Sequence, residues 1–417
     1  MADWPPVIDA DGHVLERQSD IRKYLEPPWN RRNTGLWPSD QPFDTDLFDT
    51  LGYPGYGRGM SPAQQVETWL KIMDEHNIEE AVLFPTGSGN IPKLREPEFC
   101  LAACSAANDH FAKEYNALSD RIHCVGVLPL KWPEEAAKEL RRAVTELGLV
   151  SFELLSMGLP TALGDPMYDP IYEEAQRLDV PLSVHGNRSS SAEVGAGALR
   201  TFAEVHTYTF PVGIFLHFTS MIFQGVPVRF PKLRVAYLEI GASWLPYWLD
   251  RMDEHWELRG EFEAPHLKKK PSEVVRESPV YFSLEAEERL LPQTIEYVGD
   301  NHFLYASDVP HWDGEFPKNL KYLWNHPDLS QTAKEKIAYH NGKEFFRLGR
   351  GGSAQCCAKS ELNSKIIPIR VFNLRREKID ANFLTMFTTR TRKKVAVNGL
   401  FLGLVVVVAL VNRTVAS

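Results

Sequence analysis

The chain has 417 residues, of which 43% are apolar and 11% aromatic, so it can bury a large core and is not disordered throughout. Its formal net charge of −9 leaves no basic footprint for nucleic acid. This average hides a division near Gly351. The residues from there onward hold 11 Lys and Arg against 3 Asp and Glu, whereas residues 1–350 hold 35 against 52. The two parts therefore differ in the sign of their net charge, which is −17 for residues 1–350 and +8 for the remainder.

The five cysteines are an odd number without zinc-finger spacing, which is typical of reduced thiols in a cytosolic protein. Cys100 and Cys104 fall at helical spacing, which favours a place in the core. The first six residues, MADWPP, lack the basic and apolar regions of a signal peptide. We therefore expect the body of the protein in the cytoplasm.

Short apolar segments alternate with longer amphipathic ones along the chain. Strand-like patterns cover residues 7–13, 80–85, 122–129, 150–156, 181–185, 234–240, 280–285 and 302–308. Helical periodicity covers residues 63–76, 133–147, 169–178, 199–223, 244–258 and 290–297. This alternation is typical of an α/β protein with parallel strands, and eight units close a (β/α)₈ TIM barrel. An open doubly wound sheet is the alternative that counting leaves open.

Ionisable residues stand at the ends of four predicted strands. Asp11 and His13 end the first strand, His185 the fifth, Glu239 the sixth and Asp308 the eighth. Active sites of (β/α)₈ barrels lie at the carboxyl ends of the strands, so the barrel hypothesis brings these side chains together. Their nitrogen and oxygen donors suit Zn²⁺, Mn²⁺, Fe²⁺ or Co²⁺. Each residue also has a structural interpretation, as a turn cap or a core histidine.

Four motifs carry a resemblance to a known family. They are DGH at 11–13, LSVHGN at 182–187, FPKLRVAYLE at 230–239 and ASDVPHWD at 306–313. In order, spacing and strand placement they resemble the amidohydrolase-related family, whose best-known branch contains aminocarboxymuconate-semialdehyde decarboxylase and γ-resorcylate decarboxylase. The resemblance runs over about residues 7–348.

The resemblance implies that Asp11, His13, His185 and Asp308 hold one divalent metal ion, Zn²⁺ or Mn²⁺, and that Asp308 also handles a proton. Asp11 departs from the usual histidine, and a carboxylate there favours a harder ion. Glu239 stands where the family's decarboxylases carry a histidine. It can act as a general base toward metal-bound water, or orient a ligand.

Residues beside these motifs are candidates for substrate binding. Arg188 suits a substrate carboxylate, although an exposed loop arginine is an equal interpretation. His311, Trp312 and Glu16 are placed for contacts to the substrate or to the ligands. Residues 29–60, rich in Gly, Pro and aromatics, are long for a βα connection and are interpreted as a lid or a solvated loop.

The tail separates from the predicted barrel domain at 1–349. Residues 350–394 form a basic linker, and 395–411 have no charge over a length at the lower limit for a membrane span. Basic residues directly before this segment fit a cytoplasmic flank. The uncharged segment has three interpretations, which are a membrane anchor, an appended extension and a buried apolar strand pair.

Three hypotheses for function follow. The first is a metal-dependent hydrolase acting on a small carboxylated or cyclic substrate through metal-activated water, with Asp308 and Glu239 moving protons. The alternative is a non-oxidative decarboxylase of an aromatic or unsaturated acid, in which Asp308 protonates the leaving carbon. The third is a catalytically silent barrel held at a membrane as a scaffold. Glu239 favours hydrolysis, and the family's habit of dimerising implies a homodimer.

Overall fold

A computed structural model describes residues 4–349 except 38–51, 58 and 187–190. Eight β-strands lie within these ranges, all paired in parallel. They are β1 (Val7–Val14), β2 (Ile78–Pro85), β3 (Ile122–Cys124), β4 (Phe152–Leu155), β5 (Leu182–His185), β6 (Val235–Tyr237), β7 (Val280–Ser283) and β8 (Phe303–Leu304). Each lies inside or beside a predicted strand segment.

The strands close into a barrel at two seams. Regular pairing gives one sheet of β1 to β3 and another of β4 to β8. A bridge between Gly126 and Phe152 joins β3 to β4. The other seam is closed by Ala10 N–H, which donates to Tyr305 O at 3.0 Å beside the end of β8. The predicted (β/α)₈ barrel is confirmed, and the open sheet is excluded.

Thirteen α-helices among the described residues surround the strands. They are α1 (Gln18–Ile21), α2 (Pro62–His76), α3 (Pro97–Glu114), α4 (Pro133–Thr145), α5 (Asp169–Arg177), α6 (Phe202–Phe223), α7 (Val226–Arg229), α8 (Leu245–Glu263), α9 (Pro271–Glu277), α10 (Leu291–Val298), α11 (Lys318–Asn325), α12 (Gln331–Glu335) and α13 (Asn341–Phe346). Cys100 and Cys104 are buried on α3, as their spacing predicts. None of these helices is long and apolar enough to cross a membrane, and the predicted linker and apolar tail lie outside the described residues.

Local sequence signals explain where the longer helices begin. Ser61 caps α2 in a capping box with Gln64, and Pro62 occupies the first turn, where its missing N–H costs nothing. Thr201 and Glu204 form the same capping box at the start of α6. Asn77 ends α2 in a left-handed conformation, which releases the chain directly into β2.

The hydrophobic core has two layers. One large cluster fills the space between strands and helices. A smaller cluster lies inside the barrel and consists of Ile8, Ala10, Val82, Phe84, Val125, Ala236, Leu238, Tyr281 and Leu304, with Phe345, Phe346 and Leu348 of the α13 region. The α13 residues cover the amino-terminal end of the barrel, so the cavity opens at the carboxyl ends of the strands.

Strands β6 and β8 are shorter than their sequence patterns predict. β6 stops before Glu239 (φ 70°) and β8 stops before Asp308 (φ 52°), both of which adopt left-handed backbone conformations. A positive φ at a residue other than glycine interrupts the pleat, and such strain is concentrated at functional sites. Both side chains therefore project from loops just beyond the strands.

His217 on α6 fixes the loop that follows β4. Its Nδ1 accepts from Leu163 N–H at 3.0 Å, and its Nε2 donates to Ser156 O at 3.0 Å. Burial lowers the pKa of His217 from 6.5 to about 4.

We predict that this histidine makes stability depend on pH. Between pH 6.5 and 4 the unfolded chain takes up a proton that the folded protein does not. The contribution of His217 is therefore complete above pH 6.5, and the free energy of unfolding falls by up to about 3 kcal/mol as the pH drops through this window. Urea unfolding at several pH values measures the slope. His217→Gln should reduce the dependence of the free energy of unfolding on pH, whereas His255→Gln, at an exposed position of α8, should leave it unchanged. Equal slopes in the wild-type protein and both variants would contradict the prediction.

Candidate metal centre and active site

The first strand delivers two candidate ligands to the mouth of the barrel. Its pairing with β2 shifts register between Asp9 and Gly12. Ala10 packs inside the barrel, and the shift allows Asp11 and His13 to face the same interior. Gly12 faces outward against Trp69, and a Cβ at this position would lie 2.4 Å from the indole. Only glycine fits this site without displacing the indole.

Four side chains from three strands converge on one point. His185 Nε2 lies 3.3 Å from Asp11 Oδ1, and His185 Nδ1 lies 3.3 Å from Glu239 Oε2. His13 Nε2 lies 3.5 Å from Asp11 Oδ1 and 3.7 Å from Glu239 Oε1. One donor atom from each of the four lies within 4.8 Å of all the others, which is a geometry that can hold a metal ion.

Asp308 and His311 extend this cluster. His13 Nε2 lies 3.2 Å from Asp308 Oδ1, and His311 Nδ1 lies 2.6 Å from the same oxygen. His13, Glu239, Asp308 and His311 form a second group with metal-ligand spacing. The structure therefore divides the sequence-predicted ligands between two groups, with Asp11 and His185 in the first and Asp308 in the second. His13 and Glu239 belong to both groups and connect them.

The electrostatics of the cluster favour a cation. Burial opposes a charge on His185, but Glu239 and Asp11 outweigh it and raise its pKa to about 10. Burial also opposes a charge on His13, yet Asp308 and Glu239 hold its pKa well above the usual value. The imidazoles thus take up protons because carboxylates surround them, and a bound metal ion would displace those protons.

Some carboxylate oxygen atoms in the cluster make no hydrogen bond within the described part of the chain. Asp11 Oδ2 and Glu239 Oε2 are buried without a hydrogen bond among the described residues, and the latter has the His185 ring beside it, at 3.3 Å. A buried carboxylate oxygen without a partner is costly, so these atoms fit a divalent cation. Mixed imidazole and carboxylate donors suit Mn²⁺, Zn²⁺ or Fe²⁺.

Asp308 is held ionised. Burial alone would raise the pKa of Asp308, but His311 and His13 beside it hold the pKa below its usual range. Asp308 N–H donates to Asp11 O at 2.8 Å, which fixes the end of β8 against β1. Asp9, fully buried on β1, accepts from Ser307 N–H at 3.0 Å and holds the same loop from below.

The cavity above the cluster has an aromatic wall. Its volume is about 110 Å³. His206 and Phe210 of α6 stack with ring centroids 4.2 Å apart, and Trp312 meets His206 edge to face at 5.8 Å. His206 Nε2 also lies 3.7 Å from Asp313 Oδ2. Trp312 is 49% exposed and stands at the rim.

The remaining predicted residues separate into three cases. Glu16 does not line the cavity. Its carboxylate accepts hydrogen bonds from Thr86 N–H at 3.2 Å and from Gly87 N–H at 3.1 Å, and these bonds fix the loop after β2. That loop lines the cavity. Arg188 lies outside the described residues. The described part of the predicted lid approaches the site, since Gly52 N–H donates to Pro310 O at 2.8 Å.

Sequence reasoning missed one residue of the cavity floor. Glu153 on β4 is buried, lines the cavity and leaves its Oε2 without a hydrogen-bond partner among the described residues. Burial raises its pKa to about 7. Its signal was a lone charge within the apolar segment VSFELLS, which predicts an inward-facing functional group when the strand lies in a barrel.

We predict that Ser283 positions Glu239. Ser283 Oγ accepts from Glu239 N–H at 2.9 Å and supports its left-handed backbone. Ser283→Ala leaves that partly buried N–H unpaired and should lower the free energy of unfolding by about 1–2 kcal/mol. Ser183→Ala is the matched control, because the Ser183 hydroxyl is buried with no hydrogen-bond partner among the described residues. Urea unfolding measures both variants, and equal losses would contradict the assigned role.

Comparison with known proteins identifies the family and agrees with the fold. The sequence model of the protein family described as Amidohydrolase matches residues 8–348. The γ-resorcylate decarboxylase of Rhodococcus jostii (strain RHA1) is 27% identical over 297 residues, covering 67% of this chain and 87% of that protein. The 2-amino-3-carboxymuconate-6-semialdehyde decarboxylase of Dictyostelium discoideum is 28% identical over 254 residues, covering 61% and 68%.

Solved structures share the fold. An amidohydrolase from Mycobacterium avium subsp. paratuberculosis K-10 superposes with a TM-score of 0.69 at 20% identity, covering 83% of this chain and 100% of that one. A dihydroxybenzoic acid decarboxylase from Polaromonas sp. JS666, solved with bound manganese and the inhibitor 2-nitroresorcinol, gives 0.57 at 24% identity, covering 68% and 86%. Because the family match spans most of its length, this chain belongs to the amidohydrolase family and is an enzyme of that superfamily.

Proposed function

We propose that this protein is a metal-dependent, non-oxidative decarboxylase of a small aromatic or unsaturated carboxylic acid. The observation that carries the proposal is the buried cluster of carboxylates and imidazoles at the barrel mouth, which faces an aromatic wall. The curated relatives that match most of the barrel are named as decarboxylases, which supports this reaction over the hydrolysis that Glu239 favours in the sequence.

Asp11, His13, His185 and Asp308 would hold one divalent ion, with Glu239 beside them. Mn²⁺ is the favoured ion, because the cluster is rich in carboxylate oxygen and a decarboxylase of the same fold was solved with manganese. When bound, the ion supplies a positive charge that anchors and polarises the substrate's carboxylate or a neighbouring hydroxyl.

The residues of the chain supply the proton and the orientation. In decarboxylation the bond between the substrate carbon and its carboxylate carbon breaks, CO₂ leaves, and the electron pair on the remaining carbon takes a proton. Asp308 and His311 share a hydrogen bond of 2.6 Å and form the proton-donating pair. No oxidant enters the balance.

The aromatic wall supports a planar substrate. His206, Phe210 and Trp312 present ring faces and edges to the cavity, and ring stacking orients a flat ligand. Trp312 and His311 keep their predicted roles as substrate contacts in this proposal, and Arg188 remains a prediction for a substrate carboxylate. A silent scaffold is disfavoured, since a buried cluster of carboxylates without an ion is costly.

We predict that the metal is held by residues from opposite sides of the barrel. Elemental analysis of the purified full-length chain should find about one Mn²⁺ or Zn²⁺ per molecule, as expected for one complete ligand set. His185→Ala and Asp308→Ala should each lose it, while His255→Ala, at an exposed position, should retain it. A folded His185→Ala variant that keeps its full metal content would refute the ligand set.

We predict that the manganese-loaded enzyme releases CO₂ from a hydroxybenzoate without forming any hydrolysis product. Asp308→Asn should lower kcat by about 100-fold or more, because it removes the carboxylate of the proton-donating pair with His311 as well as a candidate metal ligand. Chromatography of the products alongside CO₂ detection separates the two reactions. Turnover of a lactone or an amide without CO₂ release would restore the hydrolase hypothesis.

A further inference from the structure

Glu153 lies below the candidate metal ligands, at the floor of the cavity. In the pairing of β4 with β5, Leu155 stands opposite His185 and Glu153 stands opposite Ser183. Alternate residues of a strand face the same side, so Glu153 points inward two residues deeper than His185. A substrate held at the mouth would reach Glu153 with its far end.

Glu153 places a buried carboxyl group in the lining of the cavity. Glu153 is only 4% exposed, and its Oε2 has no hydrogen-bond partner among the described residues. The adjacent wall is backbone: a Cβ at Gly89 would lie 2.7 Å from that oxygen. A larger residue at position 89 would clash with this oxygen, so the glycine backbone packs directly against the buried carboxyl group. A buried acceptor without a partner is costly unless a ligand satisfies it.

The charge around the cavity restricts what that ligand can be. Beyond the candidate ligands, Glu153, Glu285 and Asp313 line the cavity, and none of the lining residues that the structure describes is a lysine or an arginine. Above pH 7, where the Glu153 carboxyl group is ionised, a second carboxylate on the substrate would meet like charge at the floor, whereas a hydroxyl or amino group would donate a hydrogen bond.

We propose that Glu153 is a specificity-determining residue that accepts a hydrogen bond from a hydroxyl or amino group of the substrate. The enzyme thereby selects monocarboxylic acids that carry such a donor over dicarboxylic acids. This inference rests on the proposed decarboxylase function for the identity of the first carboxylate, but the floor contact can be measured without turnover.

The experiment compares unreactive ligands by titration calorimetry at pH 8 on the full-length, manganese-loaded protein, because Glu153, with a pKa of about 7, is ionised at that pH. The ligands are 2-nitrophenols, whose nitro group replaces the reacting carboxylate, with a hydroxyl, amino or carboxylate group at one further ring position. The wild-type protein should bind the best hydroxyl or amino compound at least about 10-fold more tightly than its carboxylate counterpart, the discrimination expected of a site built around one buried hydrogen bond. Equal affinities would overturn the proposal.

Variants assign the selectivity to Glu153. Glu153→Leu should reduce the preference to about 3-fold or less, and Glu153→Gln should tighten binding of the carboxylate compound by about 10-fold, since the repulsive charge is gone. Glu285→Gln is the matched control, because it makes the same substitution at an exposed position of the cavity lining. A shift in Glu285→Gln as large as that in Glu153→Gln would overturn the assignment and attribute selectivity to net charge. Should Glu153→Leu fail to fold, the isosteric Glu153→Gln decides alone.

Turnover separates this inference from the proposed function. Selective binding that depends on Glu153, in a protein that decarboxylates none of the corresponding acids, supports the floor contact and refutes only the reaction. Decarboxylation with no preference between hydroxylated and dicarboxylic substrates supports the reaction and refutes the floor contact.

Discussion

The contact between β8 and β1 is the constraint on which the site depends. The hydrogen bond from Asp308 N–H to Asp11 O joins the loop after the last strand to the first strand. It places the side chain of one candidate ligand beside the backbone of another. The distances from His13 to Asp11 and to Asp308, 3.5 and 3.2 Å, follow from this backbone contact. The geometry of the site is therefore a property of barrel closure rather than of one loop.

Charge is the second constraint, and it follows from the first. Closure buries carboxylates from several strands within one cavity, and their histidine neighbours respond with raised pKa values. A protein interior tolerates such a cluster only when cations or protons compensate it. The same excess of negative charge that favours a metal ion at the mouth would disfavour a second anionic group at the floor. The proposed metal binding and the proposed substrate selection would thus share one electrostatic origin.

Much of the fold was predictable from the sequence, because parallel strands buried on both faces appear as apolar runs and barrel sites lie at their carboxyl ends. From the sequence alone, this reasoning predicted that Asp11, His13, His185 and Asp308 lie at the same end of the barrel. It could not predict that Asp308 would lie in a loop beyond β8, since the left-handed backbone of Asp308 has no signature in hydropathy. The reaction was also beyond reach. Glutamate at position 239 suits both a general base and a metal ligand, so it does not decide between hydrolysis and decarboxylation; our proposal of decarboxylation rests on the relatives.

The barrel consists of a three-stranded part and a five-stranded part that meet at two seams, one of them the single bridge at Gly126. Asp11 and His13 come from the smaller part, whereas His185, Glu239 and Asp308 come from the larger. An ion bound by these side chains would therefore be a cross-link between the two parts. Opening of the barrel at the β8–β1 seam and release of the ion would then be one event, so the rate of metal exchange would report how often the barrel opens.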